Sequence, residues 1–147
     1  KIVYHHHMTT TVQTAAEIDR MLAMTDPKYV SIIYDTGHLT FSGEDPLEIL
    51  RKHHSRIGHV HLKNVRKSAM DKCYAEKKSF LRSIPEGVFT VPGDPEGCVD
   101  FPTVFQLLDE YKYEGWLVVE AEQDPAKANP LDYARMARAY VREHTGL

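Results

Sequence analysis

The chain is poor in cysteine, with only Cys73 and Cys98 among 147 residues, and the pair does not form a CxxC spacing. A zinc knuckle or a disulfide framework is therefore not expected, and a reduced, cytoplasmic setting is. No apolar run approaches the roughly 20 residues that a membrane-spanning helix needs. Charge of one sign is also scarce, since 18 Lys and Arg face 21 Asp and Glu for a formal net charge of -3. That balance argues against a general nucleic-acid or membrane-surface binder. No targeting segment is visible, and Lys1 opens directly into an apolar strand pattern without an initiator Met, so the sequence reads as a fragment.

Histidine is plentiful, with nine residues, and it is grouped. Four strand-like runs end in metal-binding chemistry: Tyr4-His5-His6-His7, Ile33-Tyr34-Asp35-Thr36-Gly37-His38, His59-Val60-His61-Leu62-Lys63 and Val118-Val119-Glu120-Ala121-Glu122. Imidazoles and carboxylates delivered from the same end of successive strands are what a (β/α) barrel needs to hold a divalent ion. An affinity-tag remnant is the bland reading of the triple histidine. It is disfavoured because Ile2-Val3-Tyr4 precede it and the capping-box pattern Thr14-Ala15-Ala16-Glu17 follows.

The spacing predicts a strand from Ile2 to His7 and a helix from Thr14 to Met24, with Ala15, Ile18, Met21 and Leu22 on one face. Val30 to Asp35 is continuously apolar enough for a buried parallel strand. Asp45-Pro46 opens a short helix, and Ile57 to Lys63 is the third strand. From Val65 to Val99 the pattern breaks into charged, Gly- and Pro-containing sequence, a candidate lid or substrate loop. Asp100 caps a helix carrying Val104, Leu107 and Leu108, Trp116 to Glu122 is the fourth strand, and Asn129-Pro130 begins the last helix. About four βα units result, arranged as a parallel sheet or half a barrel over residues 1–147. The length is well short of the roughly 250 residues of a complete eight-fold barrel.

Strand alternation puts His5 and His7 on one face and His6 on the other. Asp35 reads as a ligand, with a helix cap or turn as its structural alternative. His59 and His61 share a face that Lys63 continues, so a ligand at His61 would be followed by a cation for substrate oxygens, while His59 fits ordinary buried hydrogen bonding. Arg66 points toward a substrate role or a solvated charge. Glu120 is a ligand candidate because a buried carboxylate must be paired or metal-bound, with Glu122 beside it. Tyr34, Tyr111, Tyr113, Trp116 and the methionines are expected to pack in the core or between helices.

Together with Val88-Phe89-Thr90-Val91-Pro92-Gly93 and the tail Glu120-Ala121-Glu122-Gln123-Asp124-Pro125, these segments resemble the C-terminal half of the xylose-isomerase-like TIM barrel superfamily. Within it they are most similar to the inosose dehydratases of myo-inositol catabolism. The resemblance implies an α/β fold and metal ligands at Asp35, His61 and Glu120. The fourth position falls on His5, where the superfamily carries Glu, so a shuttle between two metal-bound glutamates is impaired. It further implies Mn²⁺ or Co²⁺ and a small polyhydroxylated cyclic ketone. From the residues themselves, His7 and His38 are the candidate catalytic acid and base in either order, Lys63 is the catalytic cation for the enolate oxygen, and Arg66 and Glu122 lie toward substrate. Glutathione is associated with the family, though no residue identifies a site for it. A ketose isomerase or epimerase, or a non-catalytic sugar- or metal-binding remnant, remains the alternative. The exposed edges of a half barrel imply homo-oligomerisation or association with an N-terminal half.

Overall fold

The computed structural model describes residues 1–147. Strands β1 (Ile2–His5), β2 (Val30–Asp35) and β3 (Ile57–Leu62) are followed by β4 (Asn64–Val65), β5 (Phe89–Thr90) and β6 (Leu117–Val119). The helices are α1 (Ala15–Ala23), α2 (Thr36–Phe41), α3 (Pro46–His53), α4 (Lys67–Ala75), α5 (Phe80–Ser83), α6 (Phe101–Glu110) and α7 (Pro130–Thr145). Four strands form one parallel sheet in the order β1-β2-β3-β6. No helix is long and apolar enough to cross a membrane.

Side-chain parity divides the sheet's two faces. Ile32, Tyr34, Val60 and Leu62 are fully buried against Ile18 and Leu22 of α1, Ile49 and Leu50 of α3, and Val104, Leu107 and Leu108 of α6. The alternate residues, His5, Ile33, Asp35, His59 and His61, therefore share the opposite face. Ligand-type side chains and core side chains thus come from the same strands without competing for the same space.

Helix starts follow their caps. Thr14 and Glu17 form the reciprocal capping box, Asp45 accepts from the Leu47 amide ahead of Pro46, Asp100 accepts from the Thr103 amide, and Asn129 accepts from Leu131 and Asp132. Two strands are shorter than their apolar patterns. The backbone turns after β1, where the His7 amide donates to Val12 O and the His7 carbonyl accepts from Thr10, and the β3–β6 ladder ends at Leu62 opposite Val119. Trp116 does not pack in the core but is 77% exposed.

The largest correction concerns residues 65–99, which are structured rather than a loop. Helices α4 and α5 and the antiparallel pair β4–β5 enclose a second core of Phe41, Val65, Met70, Cys73, Phe80, Val88 and Phe89. This small layer stands over the C-terminal end of the parallel strands and supplies an aromatic wall to the site below it.

Candidate metal and active site

Four side chains converge from four successive strand ends. His5, Asp35, His61 and Glu120 each offer one ligand atom, and these atoms all lie within 4.8 Å of one another. His5 Nε2 donates to Asp35 Oδ2 at 3.1 Å, His61 Nδ1 lies 3.4 Å from the same oxygen, and His61 Nδ1 is 2.6 Å from Glu120 Oε2.

Asp35 is both cap and site residue. Its Oδ1 accepts from the Gly37 and His38 amides at 2.9 Å each, which starts α2 one residue after β2 ends, and that leaves Oδ2 for the cluster. Its own amide donates to Nε2 of His6 at 3.3 Å. His6 is fully buried on the other face of β1, where burial lowers its pKa to about 4 and keeps it a neutral acceptor. Sequence reasoning assigned His6 no role; pairing β1 with β2 is what brings it to Asp35.

Electrostatics hold the carboxylates ionised. Burial alone would raise Asp35, but the hydrogen bond from His5, the close approach of His61 and the charge of Lys63 hold it well below the usual carboxylate range. Contact with His61, against the opposing effect of burial, lowers Glu120 to about 2. Burial works against a charged His61, yet Asp35 and Glu120 raise it to about 9.

The residues fit a divalent ion. His61 Nδ1 and Glu120 Oε2 are buried and lie 2.6 Å apart, yet neither atom makes a hydrogen bond of acceptable geometry, and their other approaches, to Asp35 and to Lys63, are 3.4 Å each. Two polar atoms crowded toward one point without satisfying each other are suited to a shared cation, which would take the place of the protons on His5 and His61. Two imidazoles with two carboxylates form a borderline donor set, acceptable to Mn²⁺, Co²⁺ or Zn²⁺.

Beside this group stands a second one, His7, His38 and Glu122, whose ligand atoms also lie within 4.8 Å of one another. Lys63 joins the two groups. Its Nζ donates to His38 Nε2 at 2.9 Å and to Glu122 Oε2 at 3.0 Å, and lies 3.4 Å from Glu120 and 3.5 Å from Asp35. Burial pushes the ammonium down, but Asp35, Glu120 and Glu122 carry it above its ordinary value. Its stem crosses the backbone of α2 where Gly37 leaves room: a Cβ there would lie 2.4 Å from Lys63 Cγ and 2.6 Å from Cδ. Thr36 Oγ1 pins the same strand end by donating to Lys63 O at 2.6 Å and accepting from the Lys63 amide at 3.1 Å. Neither Thr36 nor Gly37 was legible as a support of the lysine, because the contact spans 26 or 27 positions of sequence.

Tautomers distinguish the two histidines. Lys63 occupies the Nε2 lone pair of His38, and burial lowers that imidazole to about 3. His7 instead donates from Nδ1 to the carbonyl of Met8 at 2.7 Å, which leaves its Nε2 lone pair free, 3.8 Å from Glu122 Oε1. Phe80 and Phe89 wall the rings, with Phe80 5.3 Å from His7 and 5.6 Å from His38, and the Lys63 ammonium 5.6 Å from the Phe89 centroid. His59 is half-buried and meets His61 edge to face at 5.3 Å, not through a buried hydrogen bond.

Arg66 does not join the cluster. Its guanidinium donates to Gly87 O, Thr90 Oγ1, Tyr133 Oη and Asp94 Oδ2, the last at 2.5 Å, so its donors are committed to tying residues 87–94 to α7. Burial opposes ionisation of Asp94, but Thr90, the Glu96 amide and Arg66 lower its pKa. A lowered folded-state value contributes stability above the unfolded value of about 3.9 that is lost as pH falls through the folded one. Amide exchange at Glu96 and Gly97 should therefore accelerate below about pH 4, and Asp94→Asn should show the fast rate already at neutral pH.

Residues 1–144 match the profile described as xylose isomerase-like TIM barrel. The chain belongs to this family. It is 58% identical over 146 residues to an inosose dehydratase from Clostridium beijerinckii and 62% identical over 146 residues to one from Geobacillus thermodenitrificans, in each case across 99% of this chain and 48% of the relative. The chain thus spans about half the length of the curated relatives it matches. A probable 3-DHS dehydratase involved in petrobactin synthesis from Bacillus anthracis has a similar fold, with a TM-score of 0.63 at 21% identity over 91% of this chain and 47% of that one. Within the barrel family, four parallel strands make about half of the eight-stranded wall, and the site lies at their C-terminal ends, where the family's fold puts its chemistry.

Proposed function

We propose that the chain supplies the metal-binding half of an inosose dehydratase, a hydro-lyase that converts 2-keto-myo-inositol (scyllo-inosose) to a trihydroxycyclohexane-1,2-dione and water. The observation that carries the proposal is the joining of a four-ligand cluster to a free imidazole, His7, and a buried ammonium, Lys63, in a chain 58% identical to a protein of that name. His5, Asp35, His61 and Glu120 would hold Mn²⁺ or Co²⁺, whose chemistry there is to polarise a ketone oxygen. The two free cysteines, Cys73 and Cys98, support a cytoplasmic setting.

The chain's own residues divide the proton transfers. His7 Nε2 takes the proton from the carbon beside the ketone, and the electrons of that C–H bond form the enolate. The C–O bond at the next carbon then breaks, and the Lys63 ammonium gives its proton to the departing hydroxyl, releasing water. The remaining hydroxy-enone is an enol and ketonises to the dione, so substrate equals product plus one water. Glu122, 3.8 Å from His7 and 3.0 Å from Lys63, lies between acid and base and returns the proton from one to the other. His38 holds the ammonium in place as a positioning residue. His5 disfavours the epimerase alternative, since proton exchange on two opposite faces needs a second base and the Nε2 of this imidazole is already engaged with Asp35.

The sheet's edge strands support association with further strands, from a second copy or another part of a full barrel. Ile2 on β1 is 66% exposed, and Val119 on β6 is 37% exposed. Assays of the intact protein with inosose and with simple ketoses, each with and without Mn²⁺, test the function. Dione formation from inosose only in the presence of the ion is the expected result. Interconversion of ketoses without water loss would overturn the dehydratase in favour of an epimerase, and metal binding with no turnover would favour a binding remnant.

A further inference from the structure

We propose that Lys63 is a built-in cation that limits the site to one divalent ion, occupying the place a second ion would take among His7, His38 and Glu122. The inference rests on the metal reading of the His5, Asp35, His61 and Glu120 group. It concerns what the neighbouring group is prevented from doing.

The second group has the composition of a metal site, two imidazoles and a carboxylate with their ligand atoms within 4.8 Å. Two of its three members are already bound by the same ammonium, at 2.9 Å for His38 Nε2 and 3.0 Å for Glu122 Oε2. Lys63 is fully buried, so no water separates that charge from its partners. A second ion would have to displace the ammonium from both contacts and stand beside a like charge in a poorly screened interior.

Charge balance gives the same count. Asp35, Glu120 and Glu122 bring three negative charges within 3.5 Å of one ammonium, and the two left over are neutralised by a single divalent ion. A second divalent ion would leave the buried site strongly positive. Without the lysine, three negative charges accommodate two divalent ions at a residual charge of only one.

The fold reserves this place for the lysine. Gly37 lacks the Cβ that would lie 2.4 Å from the stem, and the ammonium faces the Phe89 ring. The functional consequence falls on His7. Its Nε2 would be a ligand if the second group held an ion; with Lys63 there, the lone pair remains available as a base.

The test counts Mn²⁺ bound by the intact protein, using equilibrium dialysis with metal analysis and electron paramagnetic resonance. Wild-type protein should bind one ion per chain and show no spin-coupled pair even in excess Mn²⁺. Lys63→Met, which keeps the stem and removes the charge, should bind two and show the coupled signal. Adding Glu122→Gln to that variant should return the count to one. A coupled pair in wild-type protein overturns the proposal without recourse to any variant, and so does a folded Lys63→Met protein that still binds one ion. Should Lys63→Met not fold, Lys63→Gln takes its place beside the wild-type measurement. Wild-type protein that takes up no Mn²⁺ overturns the metal reading itself, an outcome distinct from a variant that stays at one.

Discussion

His61→Ala should abolish divalent-ion binding and dehydration together, with loss of metal affinity by more than about 100-fold. Removing groups that merely orient a ligand costs about 10–100-fold, so removing a ligand itself sets a larger expectation. His61 is central to the geometry, since its Nδ1 lies 2.6 Å from Glu120 and 3.4 Å from Asp35 and is the contact that brings the two carboxylates toward one point. In its absence, Glu120 keeps only its 3.4 Å approach to Lys63. Calorimetric titration with Mn²⁺ reads the affinity and dione formation reads the activity. Thermal unfolding of the metal-free protein separates loss of the site from loss of the fold. A variant that keeps its metal affinity would remove His61 from the ligand set and would leave the convergence of these side chains as an ion-pair network.

Much of this geometry was legible because strands and caps are local. The Asp45-Pro46, Asp100 and Asn129-Pro130 starts need only hydrogen bonds within one turn, and they begin helices where the sequence puts them. Alternation likewise placed His5 with His7 and Glu120 with Glu122. Asp35 shows the limit of choosing between roles, since one carboxylate oxygen caps α2 while the other enters the cluster. The two readings were alternatives only in the sequence.

The segment between β4 and β5 was illegible for a physical reason. Only Met70 and Cys73 of α4 are buried, and each flanking strand has two residues, so no periodicity is long enough to register. What orders it is tertiary: Phe41, from a helix hidden behind the Asp-Thr-Gly-His turn, meets Phe80 and Phe89 across some 40 to 50 positions at ring distances of 5.8 Å and 5.3 Å. The partners of Arg66 were illegible for the same reason, because Asp94 and Tyr133 lie 28 and 67 residues away. Trp116 is exposed at the margin of β6, at an edge strand that has a neighbour on one side only.

His7→Gln should leave the ion in place and lower turnover by about 100- to 10,000-fold, the range for loss of a positioned general base. The expectation follows from which lone pair is free. Lys63 occupies Nε2 of His38, while the Nδ1 donation to Met8 fixes His7 as the tautomer with Nε2 open, and its ring is the more accessible, at 27% side-chain exposure against 1% for His38. Glutamine cannot accept a proton from carbon at neutral pH, so the first step fails. Proton exchange separates this step from elimination: in deuterated water the wild-type protein should exchange the hydrogen beside the ketone of inosose, and His7→Gln should not, with Mn²⁺ affinity within about threefold of wild type. Exchange at the wild-type rate in His7→Gln would transfer the base to another group. His38→Asn would then be the informative variant, because removing His38 deprives Lys63 of a contact whether or not His38 touches the substrate, and only a base would show its loss in exchange.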